Sequence, residues 1–454
     1  MSENESETSA RPSGPAGLTS QKPLRLGIAG LGTVGVGVIR LLAENRDLIE
    51  ARSGRPIEVV AVTAQTRAKD RGIDLAPFAW AETMDDLAQR GDVDVVVELV
   101  GGSGGSTLAL AQAALQAGKG VVTANKAMIA HHGHALATAA ESSGAPLRFE
   151  AAVAGGIPII SGLREGASGN ALKRVYGILN GTSNYILSQM ESSGADFAET
   201  LGDAQALGYA EADPAFDIDG VDAAHKLAIL SALSFGTQVD FDGVEIEGIR
   251  QVRAVDIARA DALGFVVRLI GVADIENQPG GVPRLLQRVR PCLIAKDHPL
   301  APIDGATNAV VAEGNFSGQL LFQGAGAGEG PTASAVVADI IAIARGDRTP
   351  PFSIPTGSLR PATRADSGAR VSRSYLRFTV ADKPGVLAEL AAAMRDADVS
   401  IESLIQDGSP GQDGVLIAMV THPGPVANVR KAVAAAKQSP SLTGAPLVMP
   451  ILQN

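Results

Sequence analysis

The stretch Leu24-Arg25-Leu26-Gly27-Ile28-Ala29-Gly30-Leu31-Gly32-Thr33-Val34-Gly35 decides the fold of the first third of this 454-residue chain. Its first six residues predict a buried strand. They run into G-x-G-x-x-G at 30–35, and the spacing of Val38, Ile39, Leu41 and Leu42 predicts a helix over 36–49. In that setting the glycines have separate tasks. Gly30 permits a tight turn, Gly32 lets a pyrophosphate approach the backbone, and Gly35 lets helix pack close on strand. The helix N-terminus adds N–H donors and a positive dipole. The segment reads as a dinucleotide cradle that includes Thr33 and Val34; the alternative is a glycine-rich turn that binds nothing.

Working outward, a second strand spans 57–63. An NAD site usually carries an acidic residue at that strand's end for the ribose 2′-OH. Here Arg67, Lys69 and Arg71 follow instead, which favours NADP over NAD through a 2′-phosphate, unless these are simply solvated charges. A third strand, 93–100, ends in Gly101-Gly102-Ser103, and a helix over 107–117 leads to a strand ending at Thr123. The carboxyl ends of such parallel strands face one crevice, where ligands bind. Lys126 stands at that mouth, as a substrate or proton-transfer group or as a plain surface lysine.

A strand is predicted over 148–153, with Glu150 costly inside it unless paired or turned to a monovalent cation with nearby carbonyls. At 177–187 a strand turns into a helix, and Asn180, Thr182, Ser183 and Asn184 crowd the turn, more than capping needs. Then Glu211, Asp213, Asp217, Asp219 and Asp222 precede an apolar helix that carries Lys226 one turn after Asp222. A lysine ringed by carboxylates is either a structural ion-pair network or a proton-transfer group, and the acids suit a cationic amine on a small substrate. His225 points to another face and reads as structural.

Together GLGTVG (30–35), TANKA (123–127), EAAVAGGIPII (150–160), GILNGTSNYIL (177–187), LGYAEADP (207–214), DGVDAAHKLAIL (219–230) and GAGAGEGPTASAVVADI (324–340) resemble the homoserine dehydrogenases over roughly residues 24–346. The resemblance implies hydride exchange between L-homoserine and L-aspartate 4-semialdehyde with NAD(P). It makes Lys126 and Lys226 the site lysines, with Lys226 the acid/base. Glu211 and Asp222 would hold the substrate amine, with Asp217, Thr182 and Gly181 nearby. The cofactor side would include Arg67, Gly101, Gly102, Ser103, Thr123, Lys126 and Gly328. Glu150, Val153, Gly155 and Ile157 match a sodium-binding stretch. The one departure is Glu329, where a small residue is usual. Runner-up readings are another amino-acid or hydroxy-acid dehydrogenase and a non-catalytic amino-acid sensor. An aspartate-semialdehyde dehydrogenase needs a nucleophilic cysteine, and Cys292, the sole cysteine, lies far from the motifs.

The C-terminal region repeats strand–helix–strand–strand–helix–strand from 374 onward, a ferredoxin-like order. With Asp382-Lys383-Pro384-Gly385-Val386-Leu387 it resembles an ACT domain, which implies an amino-acid effector, L-threonine, near Asp382, Gly385, Val386, Leu387 and Gln406; a ligand-free dimerisation domain is the alternative. The expected organisation is α/β throughout. A tail (1–22) precedes a Rossmann-type domain (23–150 with about 324–346). An α+β catalytic and dimerisation domain (151–323), a linker (347–373) and the ACT domain (374–454) follow. The net charge of −11 argues against duplex nucleic acid. One cysteine excludes an internal disulfide, and no long apolar run suggests a membrane span. A cytoplasmic homodimer or homotetramer is expected. Gly, at 52 residues, exceeds the usual share of roughly 7%, which is read as an excess of ligand-facing loops.

Overall fold

The computed structural model describes residues 21–277, 281–407 and 414–453. Residues 1–20 of the expected tail lie outside these. A six-stranded parallel sheet opens the chain: β1 (Leu24–Ala29), β2 (Ile57–Thr63), β3 (Ala79–Trp80), β4 (Val95–Glu98), β5 (Gly120–Thr123) and β6 (Leu147–Arg148), in the order β3-β2-β1-β4-β5-β6. The order reverses at β1 and β4, so the crevice opens beyond their carboxyl ends. The helices are α1 (Thr33–Glu44), α2 (Arg46–Ser53), α3 (Met84–Gln89), α4 (Ser106–Gln116) and α5 (Lys126–Ser143). The helix expected over 36–49 is two, parted at Asn45, whose backbone leaves the helical region.

The strand expected over 148–153 stops at Arg148. Glu150–Ala152 form a 3₁₀ turn, because Glu150 leaves the sheet to accept from the Ile160 and Ser161 amides (both 2.8 Å). These amides belong to α6 (Ile159–Ser161), which opens a wider turn over 162–166.

A second sheet follows, built from β7 (Leu172–Ile178), β8 (Val244–Ile246), β9 (Phe265–Glu276), β10 (Arg284–Ala295), β11 (Thr307–Gly314), β12 (Gly318–Ala325) and β13 (Thr363–Arg364). It runs β12-β11-β7-β9-β10-β13, antiparallel except where β10 meets β13 and β8. One face is covered by α10 (Val221–Phe235), with α7 (Gly181–Ser193), α8 (Phe197–Ala206), α9 (Ala215–Ile218) and α11 (Ala254–Ala262) around it. Then α12 (Glu329–Ala344) returns to the first domain, where Val336 and Ile340 join Leu26, Ile28 and Val38 in one core. Glu329, the departing residue, is accommodated by an ion pair with Arg40 of α1 (3.0 Å).

The stretch 347–373 is anchored at particular points: Phe352 is fully buried against Phe149 and Thr356 donates to Glu141, while much of 360–371 is exposed. A short pair, β14 (Val371–Ser372) and β18 (Gly424–Pro425), flanks the last domain. That domain comprises β15 (Ser374–Val380), α13 (Val386–Asp396), β16 (Ile401–Asp407), β17 (Val415–Thr421), α14 (Val426–Ala436) and β19 (Leu447–Pro450), with sheet order β16-β17-β15-β19. It is fastened to the second sheet by Tyr375 and Arg377, both bonded to buried Asp256 of α11 (3.1 and 2.6 Å), and by the Leu452 amide on the Leu293 carbonyl. No helix among the described residues is long and apolar enough to cross a membrane.

Candidate active site

A cavity of about 720 Å³ lies beyond β1, β2 and β4. Gly30, Gly32, Thr63, Lys69, Arg71 and Val100 line it. The glycines in and around it divide by task. A Cβ on Gly35 would stand 2.0 Å from the Gly30 carbonyl oxygen, so α1 meets the turn backbone to backbone; a Cβ on Gly32, Gly101 or Gly102 would meet nothing within 4 Å. Those three leave room for a ligand, and a dinucleotide's phosphates fit there against the exposed start of α1 at Gly32 and Thr33, with Val34 half-buried behind. Arg67 does not line the cavity. It lies over Trp80 (5.5 Å) and beside exposed Glu82. Arg71 does line it, held by the carbonyls of Leu31, Thr66 and Lys69.

Sequence reasoning passed over Glu98. Fully buried at the end of β4, its carboxylate accepts from the Val100 and Gly101 amides and from Thr123 (2.8, 3.2 and 2.6 Å). Asn125 caps α5 and donates to the Gly102 carbonyl (2.6 Å). The Gly101–Gly102 loop is thus tied to the turn that presents Lys126. Thr123 is buried as a strut rather than facing the crevice.

A second cavity of about 400 Å³ shares Gly101, Gly102 and Ser103 with this loop and is closed by Lys126, Phe216 and His225. Lys126 lies 5.7 Å from the Phe216 ring. Beneath it Asp222 bridges the two lysines, with Lys126 Nζ 3.1 Å from Oδ1 and Lys226 Nζ 2.7 Å from Oδ2. Lys226 also donates to the Leu179 carbonyl (2.7 Å), which leaves its third N–H uncommitted to these partners. Asn180 caps α7 and spends its amide on Asp217 and Asp222, both at 2.8 Å. Burial alone would raise the Asp222 carboxyl, but the charges of Lys226 and Lys126 hold it well below the usual carboxylate range. Burial and the Asp222 charge raise Asp217.

Not every predicted residue joins this cluster. Thr182 donates to the Tyr209 carbonyl and also reaches the edge of the cluster beside the Asp217 carboxyl, while Ser183 and Asn184 are buried and spent on the Asp217, Ile303 and Gly305 carbonyls. Gly181 packs on backbone, a Cβ there standing 2.7 Å from the Ala306 oxygen. Glu211 is exposed on the loop before α9, with no hydrogen bond or ion pair from its carboxylate among the described residues. Gly328, at the start of α12, packs near Pro331. His225, read as structural, in fact lines the cavity. It stacks on Phe241 (4.3 Å) with its Nε2 3.1 Å from that of His131, and burial together with the His131 charge pushes it down to about 4. Cys292 is buried and pushed up to about 11 by burial, unsuited to nucleophilic work.

At the proposed cation stretch, Ala154 and Gly155 both adopt positive φ (56° and 48°). Among the described residues no hydrogen bond reaches the Val153 or Gly155 carbonyl. Asp339 accepts from the Glu150 amide (2.7 Å), and burial beside the Glu150 charge pushes Asp339 up to about 7. Gly155 and Gly156 press on Gly326 and Pro331, so these glycines serve packing. The glycine excess is therefore shared between ligand-facing loops and close backbone contacts, not mostly the former.

Residues 30–150 match the family model described as the NAD binding domain of homoserine dehydrogenase, 158–341 that of homoserine dehydrogenase, and 374–440 that of the ACT domain. A homoserine dehydrogenase of Neisseria gonorrhoeae is 43% identical, covering 91% of this chain and 95% of its own length. One of Pseudomonas aeruginosa is 41% identical, with 93% and 97% covered. The crystal structure of a homoserine dehydrogenase from Thiobacillus denitrificans superposes with a TM-score of 0.88 at 38% identity, over 95% of this chain and 99% of that one. A hyperthermophilic archaeal homoserine dehydrogenase in complex with NADPH gives 0.60 at 27% identity, over 71% and 97%.

Proposed function

Since the chain belongs to the homoserine dehydrogenase family and carries that activity, we propose that Lys226 is its acid/base, in an NADP-preferring reaction under amino-acid control. The observation that carries this reading is the Lys126–Asp222–Lys226 bridge, whose Lys126 lines a cavity with Gly101 and Gly102, next in the chain to Val100 of the nucleotide cavity. When bound, the nicotinamide cofactor supplies the hydride. As negative charge grows on the carbonyl oxygen of L-aspartate 4-semialdehyde, Lys226 stabilises it and delivers a proton; in homoserine oxidation it takes that proton back. Asp222, engaged at both oxygens by the lysines and Asn180, fixes their positions. Asp217 and exposed Glu211 are left for the substrate's ammonium. Lys126, with its side chain a third exposed, binds substrate between Phe216 and Asp222.

Arg71 supports NADP over NAD, being held in the cavity where no acidic residue ends β2, and a relative is described in complex with NADPH. The sodium reading is supported by buried Glu150 beside Asp339 and by the unengaged Val153 and Gly155 carbonyls, with Ile157 close by. The ACT domain supports an amino-acid effector such as L-threonine. Gly385 starts α13 at positive φ (94°), Val386 is buried, and Asp382, Leu387 and Gln406 are exposed for a site completed by a second copy. The free edge at β12, with Phe316 90% exposed beside it and Leu321 half-exposed, supports a homo-oligomer. We place the enzyme in the cytoplasm.

A steady-state assay of homoserine oxidation with NADP and NAD, with and without threonine, tests these points together. The expected result is a higher kcat/KM with NADP and threonine inhibition that vanishes on truncation after residue 373. Equal use of both cofactors refutes the 2′-phosphate reading, and inhibition retained by the truncated chain places the effector elsewhere.

A further inference from the structure

Away from the crevice, a cavity of about 390 Å³ lies between α14 and the second sheet. One wall is apolar, formed by Val429 and Val433 of α14 with Val448 of β19. The opposite wall is cationic, with Arg288 and Arg290 of β10 joined by Arg430 and Lys437; Glu247 is the one acid among the lining residues. The cations differ in how they are paired. Arg290 donates to Glu245 (3.2 Å), and Arg430 approaches the same carboxylate at 3.8 Å. Arg288 is only 7% exposed, yet among the described residues its guanidinium has no hydrogen bond or ion pair, and its Nε is sealed from solvent with no acceptor. Burial, with the charges of Arg290 and Arg370 nearby, pushes this guanidinium down to about 10, opposed by Cys292 and by the charge of Asp274. A buried cation with no direct partner is costly, and a carboxylate is the ligand whose planar fork matches it.

We propose that this cavity binds a small monocarboxylate with an aliphatic body, the carboxylate on Arg288 and the body against Val429, Val433 and Val448. The apolar wall argues against a bare inorganic anion, and Glu247 opposes a second negative charge. The cavity contains none of residues 382–387 or 406, so it is distinct from the effector region proposed above. Its place also has a consequence for the active site. On β10, Arg288 faces the cavity and Val289 faces the other way. Val289 packs 3.2 Å from where a Cβ on Gly220 would be, and Gly220 is the cap of the helix that carries Asp222 and Lys226. Occupancy therefore ties α14 to the strand that supports the catalytic helix.

Isothermal titration of the full chain with 3-methylbutanoate, 3-methylbutanamide and inorganic phosphate tests the proposal. Saturable binding of the carboxylate is expected, with the amide and phosphate weaker by roughly tenfold or more, the scale of a charge-assisted hydrogen bond. Arg288→Gln should weaken the carboxylate by a similar factor while homoserine oxidation without the probe persists. Failure of the carboxylate to saturate, equal binding of the amide, or unchanged affinity in Arg288→Gln overturns the site. Equal binding of phosphate overturns its aliphatic part. If Arg288→Gln does not fold, Arg430→Glu on the exposed rim gives the second reading; it should lower affinity several-fold, and no change there overturns the proposal.

Discussion

On the nucleotide side of the crevice the working atoms are backbone. Gly32, Gly101 and Gly102 leave open space, Gly35 lets α1 touch the turn, and Glu98 pins the loop from behind. Across the crevice the working atoms are side-chain ends. Lys126 comes from α5, Asn180 from the turn before α7, Asp217 from α9, and Asp222 and Lys226 from α10; the lysines and Asn180 meet at the buried Asp222 carboxylate, and Asn180 links Asp217 to it. A backbone cradle is sensitive to added volume and indifferent to most charges. A side-chain cluster is sensitive to charge and tolerant of shape. Substitutions on the two sides should therefore fail in different ways.

The largest effect is expected at the cluster. Lys226→Met should lower kcat for homoserine oxidation by at least roughly a hundredfold, the scale of one general acid/base, with cofactor KM little changed; near-normal kcat would remove Lys226 from the proposed role. On the cradle side, Gly35→Ala should destabilise by about 1–3 kcal/mol, because its methyl would be forced into the Gly30 carbonyl. By contrast, Gly32→Val should leave the melting temperature near that of the parent and raise cofactor KM. Equal loss of stability in both variants would break the division between packing and ligand-facing glycines. A smaller effect is expected from Arg71→Gln, which should raise KM for NADPH several-fold more than for NADH. An equal rise would mean that Arg71 only holds the loop through the Leu31, Thr66 and Lys69 carbonyls.

The smallest expected effect sharpens the comparison through pH. His225 titrates near 4 in the folded chain, below its ordinary value near 6.5, so the unfolded chain binds the extra proton first as pH falls. Its contribution to stability is fully present above about 6.5 and is lost as pH falls through 6.5 toward 4. His225→Asn should flatten the dependence of melting temperature on pH in that window by on the order of 2 °C. A slope identical to the parent's would show that other groups carry it.

The cradle was legible in the sequence because its signal is local. A strand, three glycines at fixed spacing and a helix follow one another within residues 24–44, and the backbone geometry they require is set by near neighbours. The ferredoxin-like order of the last domain was legible for the same reason, through alternating periodicities. The helix over 36–49 misled because apolar spacing continues across the break at Asn45, and the strand over 148–153 misled because Glu150 has a longer-range task at the start of α6. Arg67 is nearer the strand end in sequence, whereas the loop folds back so that the later cation, Arg71, meets the cavity. His225 follows from no local rule. Adjacent helix residues face different ways, and only the approach of α5 and Phe241 makes its direction the one that lines the site.

The sequence by itself determined the three-part architecture and the dinucleotide cradle, because strand and helix periodicities and tight turns depend on residues within one or two turns of each other. Only the tertiary structure decided that Asp222 lies between Lys126 and Lys226, that Asn180 holds two carboxylates, that Glu98 braces the glycine loop and that Arg288 is buried without a direct ion pair among the described residues. Each of these depends on the distance between groups tens to hundreds of residues apart, and electrostatic and hydrogen-bond energies fall off over a few ångströms that no spacing along the chain encodes.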